Sequence, residues 1–197
     1  MRFPPGTDFG YTHAGFILLG EALMRASGRP LEDLARTQVL EPLGLANTGA
    51  RTETRLAEPV LHAYTTERGV YENSTFWNPS WTSHTGFLTG DMPDLLRLAR
   101  AFGSGELLSP ESHAAQIAPD SVGKAGNRPD RYFGLGIVVM GPWIMQMFSF
   151  GGYGGTVGYL PSEDLAIAVV ITQGPTSDPD TNWSTPVFDA LREAVLR

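Results

Sequence analysis

Residues 132–172 read YFGLGIVVMGPWIMQMFSFGGYGGTVGYLPSEDLAIAVVIT, and the reading of this stretch decides the fold class. Four extended runs lie within it, at 132–140, 143–150, 152–160 and 164–172, rich in Val, Ile, Phe and Tyr. Such residues suit a pleated, half-buried surface. Gly141-Pro142, Gly151 and Pro161-Ser162-Glu163 punctuate the runs. Separators this short are hairpin length, so the spacing predicts four strands paired antiparallel in chain order. In the last run both alternating faces are apolar, which suits a strand covered on both sides.

Outside the sheet the period lengthens. Residues 185–196, TPVFDALREAVL, predict a closing helix. Toward the N-terminus, THAGFILLGEALMRAS (12–27) sets Phe16, Leu19, Leu23 and Ala26 on one helical stripe. Ile17, Leu18 and Ala22 widen that stripe most of the way round, so a largely buried helix is expected, stopped by Gly28. Pro30 is placed at the first position of a second helix, with Glu32 and Asp33 in its first turn and Pro42 ending it. Residues 46–90 hold no sustained period and read as a long irregular excursion, a kind of loop usually kept for a binding surface. Asp91 and Ser109 are expected N-caps of a third and a fourth helix. Helices followed by an antiparallel sheet and a final helix make an α+β arrangement. Residues 1–120 supply its helical and loop part, and residues 121–197 the sheet and C-terminal helix of the same domain. There is no internal repeat and no low-complexity tract.

Composition narrows the function classes. A chain of 197 residues with 42% hydrophobic and 18% charged residues can bury a core. The net charge is −7, the acids are scattered and no basic run occurs, which argues against a nucleic-acid partner. No apolar run approaches the roughly 20 residues of a membrane-spanning helix. Cysteine is absent, removing disulfides, thiolate catalysis and Cys-bound metals. The four histidines, His13, His62, His84 and His113, have no i,i+4 partner, so neither a zinc site nor any other metal or cofactor is expected.

Ser121-Val122-Gly123-Lys124 has the spelling of a Ser-x-x-Lys nucleophile, and Lys124 is the only lysine. That chemistry needs the amine one helical turn beyond the hydroxyl. Gly123, Gly126 and Pro129 make the segment a poor helix, and an exposed turn is expected instead. No G-x-S-x-G elbow occurs, and GGYGGTVG (151–158) lacks dinucleotide-loop spacing.

The stretch PPGTDFGYTHAGFILLGEALMRASGRPLEDLARTQVLEPLGLANTGA (4–50) says more. Its Pro5-Gly6-Thr7, Tyr11-Thr12-His13 and Glu41-Pro42-Leu43-Gly44-Leu45 resemble the second-motif region of the serine beta-lactamase-related family. That family includes class C beta-lactamases, D-alanyl-D-alanine carboxypeptidases, D-aminopeptidases and esterases. SHTGFLTGDMPDLLRLARAFGSGELLSPES, YFGLGI and GYLPSEDLAIAVVITQ resemble later parts of the family in its own order.

The resemblance implies a beta-lactamase/D,D-peptidase-like fold and acyl-enzyme chemistry on an amide or ester. Tyr11 would be the acid/base, a task that needs nearby positive charge because a free phenol titrates near pH 10. His13 stands where the family has Asn, and its imidazole can replace one donor and one acceptor. The third motif, Lys-Thr-Gly or His-x-Gly in the family, admits two registers. One is Tyr153-Gly154-Gly155. The other takes Gly152-Tyr153 as the family's Gly-Tyr and puts the motif on Gln146-Met147-Phe148, which keeps all the strands. In the second, Ser149 supplies an oxyanion N–H, Gln146 offers an uncharged donor, and Phe148 narrows the substrate edge. Neither register has a lysine, so carboxylate recognition by Lys-Thr-Gly is excluded.

The family's Ser-x-x-Lys lies well ahead of its tyrosine, and no counterpart precedes Tyr11 here. The chain is therefore expected to be the C-terminal part of a longer hydrolase, Met1 being an internal or misassigned start. By itself it would be inactive, and its first helix would expose apolar surface that the remainder covers. An extracytoplasmic location follows from the resemblance alone. The rival expectation is a non-catalytic homologue that binds a peptide or protein partner.

Overall fold

Side-chain caps begin three of the helices of the computed structural model, which describes residues 2–51, 53–56, 58–78, 80 and 83–196. Helix α1 spans His13–Ser27. Thr12 is extended, its hydroxyl accepts the Ala14 N–H at 3.2 Å, and Gly28 closes the helix at φ 68°. Helix α4 (Met92–Ser104) begins at Asp91, whose carboxylate accepts the Asp94 N–H, and α5 (Pro110–Gln116) begins at Ser109. Each cap satisfies an N–H that has no partner within its own helix.

Two expectations for the helices need correction. Helix α1 is not largely buried: Leu18 is 70% and Leu19 54% exposed, and Gly20 is its only buried residue. An apolar stripe that wraps most of a helix requires covering layers on several sides, and among the described residues one turn does most of the covering. That turn is Ser83–Thr85, where the His84 ring lies so close that a Cβ on Gly20 would sit 2.7 Å from it.

Nor does Pro42 end the second helix. Leu31–Ala35 (α2) passes through a wider π turn at Arg36–Leu40 into Glu41–Leu43 (α3), which closes at Gly44 with φ 67°. Pro42 falls in the first turn of α3, where its missing N–H is tolerated. Pro30 is the residue before the helix rather than its first, and its carbonyl accepts the Leu34 N–H. Leu40, Leu43 and Leu45 pack with Ala101 of α4 into a small core of their own. Between these helices the chain is mostly irregular, pinned by the pairing of β1 (Gly49–Ala50) with β4 (Leu88–Thr89). A second ribbon pairs β2 (Tyr64–Thr65) with β3 (Glu72–Asn73).

The main sheet has five antiparallel strands in chain order, not four: β5 (Arg131–Phe133), β6 (Val138–Met140), β7 (Trp143–Phe150), β8 (Tyr153–Leu160) and β9 (Leu165–Thr172). The run 132–140 divides because its apolar residues continue across a turn. Gly134 N–H bonds Ile137 O at 2.9 Å, and Gly136 takes φ 77°, a conformation glycine adopts without steric cost. One consequence shapes the site. Strand β6 reaches only Trp143–Met145 of β7, so residues 146–150 have a strand neighbour on the β8 side alone.

Helix α6 (Ser184–Val195) covers one face of the sheet. Its Phe188, fully buried, packs edge-on against Trp143 at 5.5 Å, in a cluster with Val138, Met145, Leu160 and Val169. Helix α4 covers part of the other face, where Gly103 lets Tyr159 approach; a Cβ there would lie 2.5 Å from the Tyr159 side chain.

Candidate active site

The N-terminal segment is held across the sheet by aromatic packing. Phe9 stacks on Phe133 of β5 at 4.8 Å, and two residues later the Tyr11 ring lies 6.1 Å from Phe133, 6.2 Å from Phe16 and 5.5 Å from His13. Between this segment, α1 and the sheet opens a cleft of about 280 Å³. Phe9, Tyr11, Phe16 and Leu19 wall one side; Phe133, Gly136, Ile137 and Gln146 wall the other, and among the described residues no charged side chain lines it. The Tyr11 ring is 56% exposed at this cleft, and its hydroxyl makes no hydrogen bond among the described residues.

Strand β5, which brings Phe133 to the cleft, is anchored from behind. Tyr132 donates its hydroxyl proton to Ile117 O at 2.9 Å, and Ser121 donates to Phe133 O at 2.6 Å. Ser121 does lie in a turn, but it is 8% exposed, against the expected open position. Its hydroxyl is spent on positioning a strand because the turn folds back on Phe133, and Lys124 belongs to the same turn rather than to a helix.

On β7, the Gln146 amide is engaged at both ends. Its Nε2 donates to Gly136 O at 2.6 Å, and its Oε1 accepts the Met147 N–H at 2.9 Å. The Met147 N–H therefore points away from β8, toward the open side. Alternation along an antiparallel strand then directs the Ser149 N–H to the same side. Gln146-Met147-Phe148 thus lies on an edge open to a ligand. Tyr153-Gly154-Gly155 lies on β8, paired on both sides, and offers none.

Phe148 does not narrow that edge as expected. Side chains stand perpendicular to a sheet, and the Phe148 ring lies over Gly155, its register partner on β8. A Cβ on Gly155 would fall 2.0 Å from the ring. Gly155→Ala is accordingly expected to cost about 1–3 kcal/mol by overpacking. Adding Phe148→Ala should remove most of that penalty, a coupling that urea unfolding of the two single variants and the double variant measures.

The sequence-derived residues separate into two places. Tyr11 and Gln146 share the cleft, His13 stands at its rim beside Tyr11, and Ser149 follows along the open edge. Gly152 and Tyr153 are at the β7–β8 turn and face the 61–75 loop instead. Gly152, at φ 86°, passes so close to Tyr64 O that a Cβ would lie 2.1 Å away. Tyr153 donates to Leu61 O at 2.6 Å; burial raises its pKa, opposed by the Thr75 hydroxyl and the Arg51 charge. Sequence reasoning missed Phe9, Phe133, Gly136 and Ile137. The alternation Phe9-x-Tyr11 and the pair Gly134-x-Gly136 were the available signals.

Among the described residues no cluster of three or more His, Asp or Glu could hold a metal ion, and no helix is long and apolar enough to cross a membrane.

Comparison with known proteins bears on the family and the fold. The family model described as Beta-lactamase matches residues 1–191. The D-alanyl-D-alanine-carboxypeptidase/endopeptidase AmpH of Escherichia coli (strain K12) is 27% identical over 98% of this chain and 52% of its own length. The fold is similar to a penicillin binding protein from Bacillus halodurans (TM-score 0.78, 22% identity, 98% of this chain and 59% of that one). It is also similar to a D-amino acid amidase from Ochrobactrum anthropi SV3 (TM-score 0.79, 18% identity, 99% of this chain and 59% of that one). The chain spans about half the length of the curated AmpH relatives it matches.

Proposed function

The chain belongs to the beta-lactamase family, and from that premise we propose that it is the tyrosine-bearing portion of a serine hydrolase acting through an acyl-enzyme on an amide or ester. One observation carries the reading: Tyr11, exposed and without a hydrogen-bond partner among the described residues, stands at an apolar cleft whose far wall begins at the open edge of β7. An acid/base needs a hydroxyl free to meet substrate, and an acyl group needs an edge of free N–H groups beside it.

In this reading Tyr11 moves the proton between the attacking serine, the leaving group and water. His13 gives polar support beside it, Ser149 supplies an N–H to the oxyanion, and Gln146 borders the substrate edge. Gly152 and Tyr153 act one step back, holding the β7–β8 hairpin on the 61–75 loop so that the edge stays in place. The serine and its lysine come from a segment outside this sequence, whose docking covers the apolar residues of α1. Residues 1–120 and 121–197 are then two parts of one domain that this segment completes. The peptidase name of the AmpH relative points to short peptides as substrates.

A labelled fluorophosphonate tests the proposal. The 197-residue chain is expected to remain unlabelled. A form extended by a Ser-x-x-Lys segment should be labelled on that serine. Labelling of Ser121, or of any other serine in this chain, would overturn the assignment. A second reading, a binding homologue without catalysis, draws on the Gln146 amide, whose two ends are already taken. An extended form that binds short peptides yet resists the label would favour it.

A further inference from the structure

Gln146 behaves as an internal ligand. Its side chain is a primary carboxamide, C(=O)–NH2, and it bridges two backbone groups beside the cleft, which Gly136 and Gln146 line. One is the Met147 N–H on the open half of β7; the other is the Gly136 carbonyl on the turn between β5 and β6. The Met147 N–H can bond only an oxygen, so the orientation of the amide is fixed by its partners and not chosen arbitrarily. No regular ladder fills this gap, because β6 stops opposite Met145. A donor and an acceptor so placed match the acceptor and donor of one amide group.

We infer that the slot between Met147 and Gly136 is a binding site for a substrate amide, which Gln146 plugs in the free chain and vacates when an amide bearing an apolar group enters the cleft. The apolar group is set by the walls: Phe9, Phe16, Phe133 and Ile137 surround the space beyond the slot. The charge preference is set as firmly. Among the described residues of the free chain no cation lines the cleft to receive a carboxylate and no carboxylate lines it to receive an ammonium group, so an ion entering it there would lose hydration without compensation. Gln146 is exposed and its side chain carries rotamer freedom, so swinging out to solvent exchanges its two hydrogen bonds for bonds to water. This inference rests on the cleft being the substrate site and adds the chemical class that the site accepts: an uncharged amide flanked by an aromatic or aliphatic group.

The test uses three small probes sharing one phenyl group: 3-phenylpropanamide, 3-phenylpropanoate and methyl 3-phenylpropanoate. Each is titrated into the wild-type chain and Gln146→Ala, with amide NMR shifts read at Met147 and Ile137. Removing the plug is expected to tighten the amide probe by about tenfold, because entry no longer competes with two internal hydrogen bonds. The ester, which lacks the donor, should gain less, and the carboxylate should not gain. In the wild-type chain, millimolar amide should perturb Met147, and the carboxylate should not. An equal gain for the carboxylate, or no gain for the amide, overturns the slot. Gln146→Ser opens the slot in the same way and repeats the comparison if the alanine variant folds poorly. These titrations need no catalysis. Failure of the fluorophosphonate experiment would remove the hydrolase and leave the slot standing, whereas unchanged binding in Gln146→Ala would remove the slot and leave the hydrolase.

Discussion

Tyr11→Phe, introduced into a form of the protein that carries a Ser-x-x-Lys segment, is expected to lower kcat/KM by about 10²- to 10⁴-fold, the contribution usual for a positioned acid/base. At roughly 1.36 kcal/mol per decade this is about 3–5 kcal/mol of transition-state stabilisation. Stability should hardly move. The hydroxyl has no hydrogen bond among the described residues, and phenylalanine keeps the ring contacts with Phe16 and Phe133. The loss should fall on kcat and leave KM nearly unchanged, since the group acts on a proton in flight and not on the bound ground state. Steady-state kinetics with an ester and an amide substrate measures it. A loss below tenfold on both would take the acid/base role away from this residue.

Phe188→Ala is expected to destabilise the chain by about 3–5 kcal/mol, the range for emptying a buried aromatic site. Phe188 is fully buried, meets Trp143 edge-on, and comes so close to β8 that a Cβ on Gly158 would lie 2.6 Å from its ring. Phe188 is the one apolar residue of α6 that is buried; Ser184, also buried, bonds Thr156 of β8. Because single domains are stable by only about 5–15 kcal/mol, the substitution should remove much of the cooperative transition. Leu191→Ala, one turn further along and 42% exposed, should cost far less. Urea denaturation of both variants gives the comparison, and equal losses would show that the helix is not seated by that ring.

The sequence disclosed those parts of the fold that depend on neighbours in the chain. Asp91 and Ser109 cap helices as their side chains predict, and Gly28 ends α1, because capping is settled within one turn. Errors arose where the deciding partner is distant. The apolar run 132–140 reads as one strand, and only the tight turn at Gly134–Gly136 divides it. An α1 that is apolar nearly all round reads as buried, yet the pattern reports how much covering a helix requires, not whether that covering is in the same chain. The site followed the same division. The family resemblance points to Tyr11, His13 and Gln146, which the structure brings near one cleft, while the aromatic wall of Phe9 and Phe133 arises from a stacking contact between segments far apart in sequence. Gly152 and Tyr153 were assigned to substrate because the family's spacing passes through them. Their backbone and hydroxyl contacts tie them to the loop beneath.

The ring of Phe148 lying over Gly155 has a consequence for how this strand pair can vary. Neither position is free to drift alone. A side chain gained at 155 first meets the ring, and a ring lost at 148 first leaves a hole above the glycine, so every stepwise exchange between the two passes through a less stable intermediate. Sequences related to this one should therefore alternate between a bulky residue facing glycine and a small residue facing a larger one, with few mixed cases between. Grafting a glycine at 148 to imitate a family motif would then weaken the sheet unless position 155 were refilled at the same time.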